Sequence, residues 1–80
     1  MEYYAFKGPG NETAMCAVEE YDDEYNCWKC QYFIRIKDCS CVLWKALPAI
    51  LWSIEYELTK EEFELMLNIS KVAAYSAQTF

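Results

Sequence analysis

Residues 28–37 alternate between apolar and polar. Trp28, Cys30, Tyr32, Ile34 and Ile36 share one parity, while Lys29, Gln31, Phe33, Arg35 and Lys37 share the other, with Phe33 alone out of keeping. A period of two sends successive side chains to opposite faces of a strand. The segment therefore predicts a half-buried strand whose outer face is basic. Residues 13–21 repeat the pattern more weakly, with Ala14, Cys16 and Val18 on one face, and the polar stretch 22–26 predicts the hairpin turn between the two. Residues 3–7 are aromatic enough for a third strand, closed by Gly8-Pro9-Gly10-Asn11, whose residue types are those of a turn. Three consecutive antiparallel strands make the simplest sheet, since two alone are marginal in water.

Beyond Asp38 the period lengthens. Leu43, Leu47, Ile50, Leu51, Ile54 and Leu58 recur at steps of three and four, the spacing of an amphipathic helix. Pro48 lies inside that pattern and lacks the donor an interior helical residue supplies, so strand-like residues to about 46 followed by a helix from Pro48 fit best. Thr59 and Glu62 form a T-x-x-E capping box, and Phe63, Met66, Leu67 and Ser70 follow at helical spacing, predicting a second helix over residues 60–75. Leu65, Ile69 and Val72 fall beside that apolar stripe, so this helix needs cover on two sides. The expected fold is α+β. A small antiparallel sheet of three strands, or four with residues 41–46, fills the N-terminal half and packs against two C-terminal helices. Residues 1–80 form one compact domain, β-rich over 1–46 and helical over 47–76.

Composition strengthens the case for a packed core. An 80-residue chain buries only about 60–65% of its unfolded surface, but 55% of these residues are apolar and 18% aromatic, which excludes disorder. Net charge is −6, with acids concentrated at residues 19–24 and again at Glu55, Glu57, Glu61, Glu62 and Glu64. Such a surface repels nucleic acid and anionic membranes and attracts basic proteins. The start, Met1-Glu2-Tyr3-Tyr4, does not resemble a secretory signal, and the nearly uncharged stretch 46–54 is too short to span a bilayer. A cytoplasmic protein with reduced thiols is expected, and five cysteines, an odd number, argue against a complete disulfide framework. The acceptor triplets at Asn11 and Asn68 then carry no weight as glycosylation sites.

Few residues offer chemistry. Cys27-x-x-Cys30 and Cys39-x-Cys41 contain the four thiolates of a structural zinc site. A straight strand opposes that site, because it separates Cys30 from Cys39 by about 30 Å at ~3.3 Å per residue. No cofactor is expected, with zinc at Cys27, Cys30, Cys39 and Cys41 the alternative. The chain has no histidine to activate a nucleophile, and its carboxylates lie in solvated runs where nothing raises a pKa, so catalysis is not expected. A helix-turn-helix DNA reader is also disfavoured, since the second helix begins Lys60-Glu61-Glu62-Phe63-Glu64 and would carry acids into the groove.

What stands out is Glu19-Glu20-Tyr21-Asp22-Asp23-Glu24-Tyr25: five carboxylates and two tyrosines with no cation among them. At a hairpin tip these acids meet Lys and Arg of a partner, and tyrosine is favoured at protein interfaces. With Glu61 and Glu64 as a second patch, they are the candidate partner-binding residues. A solvated turn is the plainer account. In size and charge the chain resembles the small inhibitors that bacteriophages encode against host enzymes and defence systems, anti-CRISPR proteins among them. That resemblance implies an inhibitor occupying the basic, nucleic-acid-binding surface of a target protein, with carboxylates standing where phosphates sit. The alternative is an adaptor that oligomerises with copies of itself through Leu65 and Ile69, with or without zinc.

Overall fold

The computed structural model describes residues 1–70 of the chain. Five strands form one antiparallel sheet: β1 (Glu2–Lys7), β2 (Thr13–Asp22), β3 (Cys27–Arg35), β4 (Cys41–Pro48) and β5 (Ser53–Leu58), followed by a single helix, α1 (Lys60–Ile69). Their spatial order is β4-β3-β2-β1-β5. Four strands thus follow one another as a meander, and the fifth returns to the far side of the first.

That return forces the sheet to curl. The edge strands β4 and β5 are joined by residues 49–52 alone, a reach of at most about 18 Å even if fully extended. In a flat five-stranded sheet the outer strands lie about 19 Å apart. The link is not extended, since the Leu51 and Trp52 amides both donate to the Pro48 carbonyl at 3.0 Å. The sheet therefore wraps on itself, and overall dimensions of 30 × 29 × 27 Å fit a curled sheet. The pairing of β2 with β3 is irregular twice where β2 leaves β1: Gln31 is an extra residue in β3 opposite Ala17 and Val18, and Glu19 is an extra residue in β2 opposite Lys29 and Cys30. Such irregularities bend a strand and increase its twist.

The curl creates two hydrophobic regions. Inside lie Phe6, Ala14, Cys16, Val18, Cys30, Phe33, Leu47 and Trp52; outside, under the helix, lie Ala17, Ile34, Cys41, Leu58 and Phe63. Trp52, carried by the short link, closes the interior with its ring edge-on to Phe33 at 5.4 Å between centroids. Gly8 makes room for it, because a Cβ there would stand 2.6 Å from the indole. The turn after β1 is the expected one, with Gly10 and Asn11 in the left-handed region at φ 68° and 60°.

Several expectations need correction. Residues 53–58 are a strand, so the sheet has five strands instead of three or four, and among the described residues there is one α-helix instead of two. The i, i+3/i+4 spacing from Leu43 to Leu58 arises from three unrelated segments. Leu43 and Leu47 face opposite sides of the sheet, Ile50 and Leu51 are exposed in the link, and Ile54 and Leu58 belong to β5. Within β5, Ile54, Tyr56 and Leu58 alternate with Ser53, Glu55 and Glu57, a period of two hidden inside the longer one.

The basic-faced strand also differs from its simplest form. Trp28 packs on the interior with Cys30, but Tyr32 and Ile34 belong to the helix-covered side. The phase slips between Cys30 and Tyr32, where Gln31 is an extra residue in β3 opposite the consecutive pair Ala17 and Val18. Phe33, which broke the alternation, is thus an interior residue on a strand with two apolar faces.

The capping box forms as predicted: Thr59 Oγ1 accepts from the Glu62 amide at 3.0 Å, and Glu62 Oε1 accepts from the Thr59 amide at 2.8 Å. Phe63 is the buried residue of α1, 5.0 Å from Tyr3 and 6.2 Å from Tyr32 between ring centroids. The helix ends at Ile69, with Ser70 extended. The expected continuation to residue 75 lies outside the described residues, as does Val72.

Candidate functional site

β2 outruns β1. Its pairing with β1 ends at Glu2 opposite Val18, so residues 19–22 project beyond β1, with Glu20, Tyr21 and Asp22 paired to β3 and Glu19 skipped by the register. The acidic run is therefore a protruding hairpin, as the sequence predicts, with its turn at residues 23–26.

Not every acid in it is free. Asp22 Oδ1 accepts from the backbone amides of Glu24 (2.9 Å) and Tyr25 (3.3 Å), and Oδ2 pairs with Lys29 Nζ at 3.3 Å. Partial desolvation pushes the Asp22 carboxyl up. The hydrogen bonds from Tyr25, Lys29 and Glu24 outweigh that and hold it below the usual carboxylate range. Its bond to Asp22, together with the charges of Asp22 and Glu20, raises the Lys29 ammonium in turn. Asp22 is thus occupied in forming the turn. Tyr21 is likewise engaged: its hydroxyl donates to Asn26 Oδ1 and its ring lies 4.6 Å from that of Trp28. Glu19, Glu20, Asp23 and Glu24 are exposed, and Tyr25 is 73% exposed.

A second segment meets this tip. The Ala49 amide donates to the Asn26 carbonyl at 2.9 Å, and Cys27 pairs with Pro48. Tyr25 and Ile50 are the chain neighbours of the two bonded residues. Ile50 is 85% exposed and Leu51 54% exposed. The tip therefore carries four exposed carboxylates and an exposed aromatic ring, and the segment bonded to it carries two exposed aliphatic side chains. Sequence reasoning missed Ile50 and Leu51 because they completed a helical pattern. A proline at the start of the segment gave no warning, because Pro48 is tolerated at the first position of a helix.

Glu61 and Glu64 are exposed on α1, and among the described residues no hydrogen bond or ion pair joins them to the hairpin. Glu62, between them, is taken by the cap. Of the basic residues expected on the outer face, Lys29 pairs within the run, while Arg35 lies instead beside Glu12 and Asp38.

The four cysteines of the zinc alternative are not gathered. Cys30 is buried in the interior and Cys41 under the helix, on opposite faces of the sheet, while Cys27 and Cys39 are half-buried. Among the described residues no group of three or more His, Cys, Asp or Glu side chains is placed to hold a metal ion. Burial pushes the thiols of Cys16 and Cys41 up, which disfavours thiolate. No described helix is long and apolar enough to cross a membrane. No protein-family model matches the chain, and neither a curated protein nor a solved structure shows significant similarity to it.

Proposed function

We propose that the protein acts by binding, without catalysis, as a small cytoplasmic inhibitor that covers a basic, nucleic-acid-binding surface of a target protein. The observation that carries this is the Ala49–Asn26 hydrogen bond, which sets Ile50 and Leu51 beside the acidic, tyrosine-bearing tip. Free carboxylates steer the encounter with Lys and Arg, while buried aliphatic and aromatic contacts supply affinity. Charge alone attracts any cation; exposed apolar side chains next to the carboxylates favour a protein surface.

The test is affinity capture from a host lysate at low and high salt, comparing the native protein with Asp23→Lys/Glu24→Lys and with Ile50→Ser. Basic or nucleic-acid-binding proteins should be retained at low salt. Both variants should hold them at least about tenfold more weakly, a change of about 1.4 kcal/mol. Equal retention by all three proteins would remove this site from consideration.

Leu65 and Ile69, 69% and 66% exposed on α1, support the second reading, an adaptor that self-associates through its helix. It requires a concentration-dependent oligomer that Leu65→Ser abolishes and the acidic reversals leave intact.

A further inference from the structure

Seven basic residues face thirteen acidic ones in this chain, yet three of the seven surround one place. Two clefts meet at Arg35 and Glu12. The smaller, about 210 Å³, is also lined by Phe33, Lys45, Pro48 and Trp52; the larger, about 430 Å³, opens beside the turn after β1 and includes Lys37.

The cations here are weakly committed. Arg35 Nη1 stands 3.6 Å from Glu12 Oε2, and Nε stands 3.6 Å from Asp38 Oδ1, both beyond ordinary hydrogen-bond length. Asp38 Oδ1 is already taken by the Ser40 amide at 3.1 Å and hydroxyl at 2.7 Å. The Arg35 Nε, shut off from solvent, is left without an acceptor. Such a group in a folded protein calls for an explanation. Lys45 forms no ion pair among the described residues; its Nζ lies over the Phe33 ring, 5.2 Å from the centroid. One guanidinium and one ammonium thus converge on a cleft with an aromatic floor, Phe33 and Trp52; Glu12 lines it, and Asp38 stands on the other side of the Arg35 pairings.

We propose that this cleft is a binding site for the carboxylate of an acidic peptide segment. Arg35 would take the carboxylate in its two-pronged geometry, Lys45 would add a second charge-assisted contact, and the aliphatic stem would lie on Phe33 and Trp52. Size limits the ligand: about 210 Å³ falls below the range of ~300 Å³ and above typical of drug-sized ligands, but admits one side chain or a chain end. Glu12 then acts as an internal competitor that occupies Arg35 until the ligand arrives. This proposal does not rest on the acidic hairpin, which has no part in the cleft.

The carboxylate can come from a Glu or Asp side chain or from a chain terminus, and two peptides separate these sources. One is acetylated and amidated with a central glutamate; the other has no acidic side chain and a free C-terminus. Each is titrated into the full chain and followed by the Trp52 indole NMR signal, with inorganic phosphate as a third arm. Saturable binding of either peptide supports the site and names its source. Lys45→Gln should then weaken it about tenfold while the protein stays folded, its unfolding midpoint falling only by the small amount that losing the contact with Phe33 implies, and Glu12→Gln should tighten it. Arg35→Gln should abolish it, but Lys45 is the decisive position because Arg35 also lies between two acids of the fold. No saturable shift with either peptide, binding indifferent to Lys45→Gln, or phosphate bound as tightly as both peptides would overturn the proposal.

Discussion

The two hydrophobic regions of this molecule are closed in different ways. The interior of the curled sheet draws on β1, β2, β3, β4 and the 49–52 link, so its residues are fixed from several directions at once. The outer region is covered by one ten-residue helix that sends a single fully buried side chain, Phe63, into it. A helix of that length has little stability of its own in water. It stays on the sheet through Phe63, the half-buried Met66 and Leu67, and its cap. The interior should therefore behave as the fold itself and the helix as an attachment.

Removing one aromatic from each region puts that difference to the strongest test. Trp52→Ala takes away the interior's closure, and Trp or Phe to Ala in a core costs about 3–5 kcal/mol. A domain of 80 residues has roughly 4–12 kcal/mol in all. Denaturant titration should find the Trp52 variant largely unfolded or reduced to marginal stability. Phe63→Ala should cost nearer the lower end of that range, because the helix can lift away without opening the interior. Its circular dichroism should lose helix while Trp52 stays buried by fluorescence. If both variants unfold in a single identical transition, the two regions are one cooperative unit and the distinction fails.

Thr59→Ala probes the attachment more gently. It removes the hydroxyl that accepts from Glu62 and one half of the capping box, a loss of about 1 kcal/mol. Hydrogen exchange should quicken within α1 and leave β2 and β3 unchanged. Protection lost throughout the sheet would show that the helix helps to hold the curl.

The legibility of the sequence follows the same division. The Thr59–Glu62 cap and the Phe63 stripe are local signals within one turn or two, and the structure has both. The hairpin around Asp22 was equally plain, because a polar interval between alternating segments has few other uses. What escaped was non-local. Nothing near Ile54 tells that β5 pairs with β1, some fifty residues earlier, and the period-two pattern of β5 is only six residues long. Cys30 and Phe33 face the same interior because β3 carries an extra residue, Gln31, between Cys30 and Tyr32, and that extra residue shows only in the pairing with β2. At the candidate site the same limit applies: the acids were visible in the chain, but the aliphatic pair that joins them arrives from the link. Nor did charge counting reveal that Asp22 is spent on its own turn.

The smallest expected effect asks how far water reaches into the rim of the interior. Tyr4 packs its ring against that cluster, 6.2 Å from Phe6 and nearly perpendicular to it, while its hydroxyl donates to Glu2. That hydrogen bond, then partial burial, then the negative charges of Glu2 and Glu57 push the phenol up to about 12. In the unfolded chain a tyrosine titrates near 10. The folded state thus favours the protonated form. The stabilisation is complete below about pH 10 and is lost as pH rises through about 12. Glu2→Gln removes the nearest charge and should bring Tyr4 part of the way back toward ~10, with no change in the other tyrosines by phenolate absorbance. A Tyr4 that already titrates at the ordinary value in the native protein would mean that solvent screens Glu2 and Glu57 fully. The stability gained below about pH 10 through this tyrosine would then be absent.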